Sequence, residues 1–426
     1  MKNIKKVTVV AVFALSFSSL AFSQTVFSVV KVPAMSPNSL TAINNAGQVV
    51  INTGTSDSYQ VSTWNRINGT DNLGAIGVNS GGAAINLSGD VVGAGDPNNS
   101  GNLQAFIWHP TGSLTLLGTL GGALSAASGV NDSAGVVGLS YTATNTQHAF
   151  LWTQSGGMQD LTPDLTSIGG AAAVAINSSN QVVGYYFPNG SLNTLGFSWT
   201  QAGGLQSVGS AGTLAFAVNN AGTIVGKAPA ANGYMHAFSK TATGSMKDLG
   251  TLGGAESSAL SVNNKGWIVG TSLTTSTNGL PHGFLWRPGA GMQDFTVVAG
   301  LSTGQQPYSV QINDAGVITL TTNKGGYLLV PKTTATFTSS LNPSRLGQPV
   351  TFTATLTSIA GAPPDGEMVQ FLVSGRVAGS APLVGGVAEF TTSAVPKGSH
   401  AVVASYLGDV NFLPAKYAAI TQVVNP

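Results

Sequence analysis

The segment Val262–Gly270, with the sequence VNNKGWIVG, contains the pattern that decides the fold of this 426-residue chain. An aliphatic residue and an asparagine come first, a glycine lies three residues after the asparagine, and β-branched residues follow. Glycine accepts the positive φ angles of a tight hairpin, and β-branched residues favour strands. The segment therefore predicts a strand, a tight turn and a second strand.

The same pattern occurs seven times, at intervals of 42 to 50 residues, and its asparagines are Asn44, Asn86, Asn131, Asn177, Asn219, Asn263 and Asn313. Three residues after the asparagine, six copies have Gly or Asn, and the remaining copy has Ala134. We expect the neighbouring Gly135 to adopt the turn conformation there. The positions two and four residues before the asparagine are mostly small, which predicts that this strand lies at a crowded inner rim.

Two further strands recur in each repeat. One contains a small residue, an aromatic residue and usually a tryptophan, as in 105–108 (AFIW), and the other follows a glycine turn, as in 157–161 (GMQDL). Four short strands in about 44 residues match a blade of a β-propeller. Because the last repeat has only three strands and residues 25–32 precede the first, we predict an all-β, seven-bladed β-propeller whose N-terminal strand completes the last blade.

Several strings in these repeats resemble the HAF-type extracellular repeat. They are 148–152 (HAFLW), 236–238 (HAF), 117–122 and 249–254 (both LGTLGG). The resemblance covers roughly residues 30–330 and implies a secreted bacterial repeat protein. It implies no catalytic residues.

The first 23 residues resemble an export signal. Lys2, Lys5 and Lys6 precede the apolar run 7–20, and small residues favour cleavage before Gln24. An uncleaved membrane anchor is the alternative, although the run is short for a membrane span. We predict a signal peptide at 1–23 and a protein that is secreted, extracellular or on the cell surface. The chain has no cysteine, so burial and strand pairing must stabilise it.

The C-terminal residues have a different pattern. After Lys332, alternating Thr, Val and Phe residues predict strands at 333–338, 349–357, 368–373, 386–392, 399–406 and 417–424. We predict a propeller domain at 24–332 and an Ig-like β-sandwich at 333–426. The stretches 342–352 and 406–412 resemble bacterial Ig-like domains of surface proteins.

Composition limits the function. Charged residues are 7% of the chain, against about 25% in typical soluble domains. Without a basic surface, nucleic-acid binding is excluded. His148, His236 and His282 recur at one repeat position, where equivalent residues lie far apart around a ring, so we interpret them as cross-strand contacts and predict no metal and no cofactor.

The candidate ligand-binding residues are irregular aromatics in or beside the connections between second and third strands. They are Tyr59, Tyr141, Tyr185, Tyr186, Phe187 and Tyr234. Neutral polar residues beside aromatic rings would suit a neutral glycan. The recurring Phe and Trp of the third strand are interpreted as core instead.

The sequence favours a secreted, monomeric, non-enzymatic binding or adhesion protein for an extracellular polysaccharide, envelope component or surface protein. One alternative is a glycan-degrading propeller enzyme using Asp96, Asp132 or Asp164. Another is a purely structural surface-layer component. The string 300–304 (GLSTG) matches a serine-hydrolase elbow, but it lies between strands without a following helix and is expected by chance.

Overall fold

The computed structural model describes residues 26–33, 39–55, 58–74, 76–164, 170–188, 191, 193–275, 280–295, 299, 301, 306–417 and 419–426. All 37 elements bounded within these ranges are β-strands, so the protein is all-β as predicted. Among the described residues, no helix is long and apolar enough to cross a membrane. The predicted signal segment, 1–23, lies outside the described residues.

Seven four-stranded antiparallel sheets, called repeat sheets 1 to 7 below, account for the described strands up to Pro331. Their strands are β1 (Phe27–Lys31); β2–β5 of sheet 1 (Ser39–Ile43, Val49–Thr55, Ser58–Asn65, Gly69–Asn72); β6–β9 of sheet 2 (Val78–Ile85, Val91–Asp96, Gln104–Trp108, Leu114–Leu116); β10–β13 of sheet 3 (Gly121–Val130, Val136–Thr142, Gln147–Thr153, Gly157–Asp160); β14–β17 of sheet 4 (Ala171–Ile176, Val182–Tyr186, Leu195–Thr200, Gly204–Ser207); β18–β21 of sheet 5 (Leu214–Val218, Ile224–Pro229, Met235–Lys240, Met246–Asp248); β22–β25 of sheet 6 (Gly253–Val262, Ile268–Thr274, Pro281–Arg287, Gly291–Asp294); and β26–β28 of sheet 7 (Pro307–Ile312, Ile318–Thr322, Gly325–Pro331).

The N-terminal strand completes the last repeat sheet. β1 pairs antiparallel with β28, and the register runs from Phe27 opposite Pro331 to Lys31 opposite Tyr327. This pairing was predicted from the missing fourth strand of the last repeat. It fixes the start of the described chain to the end of the repeat region.

Each repeat asparagine both closes its own hairpin and reaches the neighbouring sheet. Asn263 accepts a hydrogen bond from the backbone N–H of Trp267 (2.9 Å), and its side-chain amide donates to the carbonyl of Asn313 in the next sheet (3.0 Å). All seven asparagines make the equivalent pair of bonds. The innermost strands, β2, β6, β10, β14, β18, β22 and β26, also contact one another in that order, and β26 contacts β2. The repeat sheets are therefore arranged like the blades of a propeller.

The turn of the third repeat differs from the prediction. Ala134 itself has a φ of 57°, whereas Gly135 is not in the left-handed region. The turn keeps its position three residues after Asn131 because the side chain of Asn131 accepts a hydrogen bond from the N–H of Gly135 at 2.8 Å. The expectation for Gly135 was therefore wrong, and an alanine takes the strained conformation.

The recurring aromatics of the third strands lie in the core, as interpreted from the sequence. Five phenylalanines at equivalent positions are at most 1% exposed: Phe106, Phe150, Phe197, Phe238 and Phe284. They pack with the β-branched pairs of the second strands between neighbouring sheets, as Phe150 does with Val92 and Val136. This burial supplies the apolar stabilisation that an uncrosslinked chain requires.

The C-terminal strands form two further sheets. The three-stranded sheet contains β29, β31 and β34, and the larger sheet contains β30, β37, β35, β32 and β33, with β36 beside β35. Their bounds are Thr333–Ser339 (β29), Ser344–Arg345 (β30), Val350–Ser358 (β31), Met368–Val373 (β32), Arg376–Pro382 (β33), Val387–Thr392 (β34), Gly398–Tyr406 (β35), Ala415–Lys416 (β36) and Ile420–Asn425 (β37). The two sheets enclose one apolar core that includes Phe352, Phe371 and Val402. Arg376–Pro382 was not predicted as a strand.

The C-terminal domain contacts the edges of repeat sheets 1, 6 and 7. Arg66 donates to the carbonyl of Phe412 (2.8 Å), and Lys265 donates to the carbonyl of Ala360 (2.6 Å). Burial at this contact lowers the pKa of both cations. Ala360 also belongs to the apolar cluster of sheets 6 and 7, so the two domains share packing as well as hydrogen bonds.

Candidate binding cavity

Two cavities lie on opposite sides of a ring of aliphatic residues at the centre of the repeat sheets. Each innermost strand contributes one member that lines both cavities: Ile43, Ile85, Val130, Ile176, Val218, Val262 and Ile312. The asparagine cavity, of about 230 Å³, is lined by the residues that follow this ring in the chain. The bulge cavity, of about 490 Å³, is lined by the residues that precede it.

A β-bulge in every innermost strand forms the bulge cavity. In sheet 5, for example, Ala215 pairs with Gly226 and Ala217 with Val225, so Phe216 has no partner in the ladder. The unpaired residues of the seven strands are Thr41, Ala83, Ser128, Val174, Phe216, Leu260 and Tyr308. All seven line the bulge cavity. Bulges re-aim side chains next to binding and active sites, and here seven of them aim at one space.

The bulges explain the glycine that follows the two β-branched residues in five second strands. A Cβ atom at Gly138 would lie 2.0 Å from the carbonyl oxygen of Ala126, just before the bulge in the neighbouring strand. The equivalent distances at Gly93, Gly184, Gly226 and Gly270 are 1.8 to 2.1 Å. In these five sheets only glycine permits this close approach, whereas sheet 1 forms its bulge with Ile51 at the equivalent position.

The bulge residues differ although the scaffold around them repeats. Sheets 1 to 3 contribute Thr41, Ala83 and Ser128, which are small, whereas sheets 5 to 7 contribute Phe216, Leu260 and Tyr308. Tyr308 is 64% exposed. One side of the cavity is therefore wide and the other carries large apolar groups.

Hydroxyl groups on the small side also join neighbouring sheets. Thr41 Oγ1 donates to the carbonyl of Gly82 (2.9 Å), and Ser128 Oγ donates to the carbonyl of Ala173 (2.6 Å). Each hydroxyl keeps lone pairs that can accept a further hydrogen bond. These two positions thus serve the scaffold and offer acceptors to a ligand.

The asparagine cavity is polar and lies beside the C-terminal domain. Asp314 Oδ1 accepts from the N–H of Asn264 (2.7 Å), and its Oδ2 accepts from the side chain of Asn45 (2.7 Å). Asn411 of the C-terminal domain accepts from Asn313 (2.9 Å) and donates to the carbonyl of Asn45 (3.0 Å). These polar groups are largely paired within the protein, which leaves the bulge cavity as the better candidate for a ligand.

The sequence-predicted aromatics lie elsewhere. Tyr141, Tyr185, Tyr186, Phe187 and Tyr234 come from repeat sheets 3, 4 and 5, and none is among the described residues lining the bulge cavity. Tyr186 packs against the core of sheet 4, 6.4 Å from the ring of Phe197, whereas Tyr234 is 51% exposed in the connection from β19 to β20. For Tyr59 only the backbone pairing with Gly54 is described. A binding role for these six residues stays a prediction.

The three candidate carboxylates of the enzyme alternative are not brought together. Asp96 accepts hydrogen bonds from Ser100 and Gly101 of its own loop, and these donors hold its pKa below the usual range. Asp132 lines the asparagine cavity, at the opposite end of the sheets from the loop of Asp96. Asp164 is exposed in the connection after β13. Of the string 300–304, only Leu301 is described.

The recurring histidines contact the recurring aspartates across adjacent strands. His148 pairs with Asp160 at 2.7 Å, and the same contact joins His236 to Asp248 and His282 to Asp294. The cross-strand interpretation is therefore confirmed. In the described part of the chain, no cluster of three or more His, Asp or Glu could hold a metal ion.

The bulge residues were not predicted as site residues because they alternate with the small residues that indicate a crowded inner strand. The missed signal is the position three residues before each asparagine, which varies while its neighbours stay small. In sheet 7 even this signal shifts, because the bulge lies at Tyr308, five residues before Asn313.

One family model matches the C-terminal domain. Residues 333–425 match the bacterial Ig-like domain (group 3), which confirms the predicted Ig-like sandwich. No HAF-repeat family match accompanies it, so that resemblance stays a prediction. No curated protein matches the chain.

Three solved structures are similar to the chain at low identity. The extracellular domain of a protein described as a hybrid two component system, from B. thetaiotaomicron, has 8% identity, a TM-score of 0.48, and coverage of 95% of this chain and 60% of its own. TolB from Acinetobacter baumannii has 9% identity, a TM-score of 0.39 and coverages of 66% and 63%. A gluconolactonase from Xanthomonas campestris has 10% identity, a TM-score of 0.41 and coverages of 73% and 93%. The chain thus spans about three fifths of the length of the first two structures. The description of its fold therefore depends on the strand pairing within this chain.

Proposed function

We propose that this protein is a secreted, non-enzymatic binding protein that uses the bulge cavity to hold an extracellular polymer, glycan or cell-surface partner. In this proposal the repeat sheets are the blades of a closed seven-bladed β-propeller, and the Ig-like domain is an attachment or spacer module. The observation that carries the proposal is the convergence of seven bulge residues on one cavity.

The size and chemistry of the cavity support binding. Its volume of about 490 Å³ falls within the range of ligand pockets, roughly 300 to 1,000 Å³. Its walls are backbone-rigid strands, so little ordering is required when a ligand enters. A paired acid and base for hydrolysis would need carboxylates in the same space, and none is among the described lining residues.

The position of the Ig-like domain supports a binding face at the bulge cavity. Its contacts with Asn45, Arg66 and Lys265 lie at the asparagine end of the sheets. The connections between second and third strands lie at the other end of the sheets, which is also the end on which the bulge cavity lies. An envelope-attached Ig-like domain would therefore present the bulge cavity outward.

The proposal is tested with purified protein on immobilised neutral and charged polysaccharides, peptidoglycan and envelope fractions. Retention of the protein by at least one of these supports it. Retention by none contradicts it. Release of reducing ends from a soluble polysaccharide panel, abolished by a single carboxylate substitution, would also overturn it in favour of an enzyme.

A further inference from the structure

We infer that the bulge cavity binds a neutral sugar residue of a glycan, held between an apolar arc on sheets 5 to 7 and hydrogen-bonding groups on sheets 7, 1 and 3. This inference rests on the proposed function and names its ligand class and specificity residues. It depends on three features of the cavity: the placement of its large side chains, one unpartnered amide, and the absence of charge among its described lining residues.

The large side chains of the cavity are contiguous. Phe216, Leu260 and Tyr308 occupy the bulges of three successive sheets, so they form one apolar arc rather than isolated contacts. The C–H face of a pyranose is apolar and packs on aromatic rings, which combine a large contact area with a polar edge. Because the side chain of Tyr308 is 64% exposed, packing within the protein does not account for its size.

Gln311 supplies a polar group that the scaffold does not use. The equivalent position in the other repeats is Ala, Gly or Ser, whereas Gln311 extends a primary amide at the wall of the cavity. Within the part of the chain that the structure describes, this side chain has no hydrogen-bond partner. An amide donates and accepts at once, which matches vicinal hydroxyl groups of a sugar. Thr41, on the neighbouring strand β2, and Ser128, on β10, line the same cavity, and their hydroxyl oxygens can accept hydrogen bonds.

The described lining residues of the bulge cavity include no Asp, Glu, Lys or Arg. A charged ligand would lose its hydration there without gaining a counter-charge, which is costly. A uronic-acid or sulfated residue is therefore disfavoured, and a neutral hexose or N-acetylhexosamine is favoured. Neutral hydroxyl and amide groups can be satisfied by Gln311 and the two hydroxyls.

The test is isothermal titration of the full protein with hexasaccharides of glucose, xylose, mannose and N-acetylglucosamine, and with oligogalacturonate as the charged probe. We expect at least one neutral oligosaccharide to bind. Tyr308→Ala and Gln311→Ala should each weaken its binding about tenfold or more, because each removes a central contact. Tyr308→Phe, which keeps the ring, should stay within about threefold of the wild type.

The matched control is Leu407→Ala, which removes a similarly exposed apolar side chain (63%) of the Ig-like domain, outside the cavity, and should leave affinity unchanged. Thermal melting verifies that every variant is folded. If a polysaccharide retains the protein but Tyr308→Ala and Gln311→Ala bind as the wild type does, the inference fails while the proposed function stands. Binding of oligogalacturonate alone would also overturn the inference. If no polymer or envelope fraction retains the protein, the proposed function itself fails.

Discussion

The side-chain amide of Asn313 donates a hydrogen bond of 3.2 Å to the backbone carbonyl of Asn44, which lies 269 residues earlier in the chain. Six equivalent bonds lead from Asn44 through the other repeat asparagines to Asn313. One side-chain type therefore connects all seven sheets in a single cycle. Together with the pairing of β1 and β28, this bond joins the two ends of the repeat region.

Replacing one asparagine of this cycle should destabilise the repeat domain. In Asn219→Ala the partly buried N–H of Thr223 loses its side-chain partner, and the carbonyl of Asn263 loses its buried bond from the neighbouring sheet and keeps only the bond from the N–H of Gly266. We expect a loss of about 2 kcal/mol in the free energy of unfolding, measured by urea denaturation. Asn102→Ala, at an exposed loop asparagine, is the matched control and should change stability little. Equal effects of the two substitutions would contradict a structural role for the cycle.

Ala134→Gly should stabilise the protein. Ala134 has a φ of 57°, a conformation in which a Cβ atom is strained by about 1 kcal/mol. Glycine relieves the strain, so we expect a gain of about 0.5 to 1 kcal/mol, offset in part by greater freedom of the unfolded chain. Thermal melting of both proteins measures it, and a lower melting temperature for the variant would show that the turn is not strained.

The bulges of sheets 2 to 6 should depend on the glycines of their second strands. In Gly138→Ala the new methyl group would collide with the carbonyl oxygen of Ala126, and the bulge at Ser128 would have to move. We expect a loss of about 1 to 3 kcal/mol in chemical denaturation. Gly81→Ala is the control, because nothing lies within 4 Å of its added Cβ. If both variants unfold at the same denaturant concentration, the close approach at Gly138 is not required.

The contact between the two domains should be weakened by Asn411→Ala. This substitution leaves the amide of Asn313 with one bond fewer and removes the bond to the carbonyl of Asn45. We expect a loss of about 1 to 2 kcal/mol and a wider separation of the two unfolding transitions in calorimetry. Asn342→Ala, within the Ig-like domain, should lower only the transition of that domain. A calorimetric trace unchanged by Asn411→Ala would contradict the contact.

Glu367 should make stability depend on pH. Burial, together with the carboxyl group of Asp409, raises the pKa of Glu367 to about 7, while the hydroxyl of Tyr406 donates to Glu367 and opposes this shift. The folded state therefore holds the proton more tightly than the unfolded state, where the pKa has its ordinary value of 4.5. The stability from Glu367 is complete below that value and is lost as the pH rises through about 7. The cation that faces Tyr406 and Glu367 from the repeat domain is Arg66, which follows β4 of sheet 1.

The measurement is the melting temperature between pH 5 and 8 for the wild type and Glu367→Gln. The glutamine cannot titrate, so the decrease with rising pH should be smaller in the variant. Glu389→Gln, at an exposed strand position, is the control and should keep the wild-type slope. If the slope of Glu367→Gln equals that of the wild type, another group is responsible.

Much of the fold could be predicted because its signals are local. A glycine or asparagine three residues after an asparagine defines a hairpin, and paired β-branched residues define the strand that follows. The third repeat is an exception to this pattern. There the hydrogen bond from the N–H of Gly135 to the side chain of Asn131 holds the turn at Ala134, a residue that prefers other conformations. The candidate site was predicted less well, since the aromatics of the connections lie apart from the cavity that the structure contains.

The sequence by itself determined most of the strands and turns, the repeat and the change of domain near Lys332, because each depends on residues close together in the chain. The tertiary structure alone decided which side chains share a cavity. A bulge shifts the ladder by one residue, so Phe216 and Tyr308 leave the regular alternation of their strands and lie at the wall of the same cavity. These side chains share one cavity only because the seven sheets converge, and no local sequence pattern specifies that convergence.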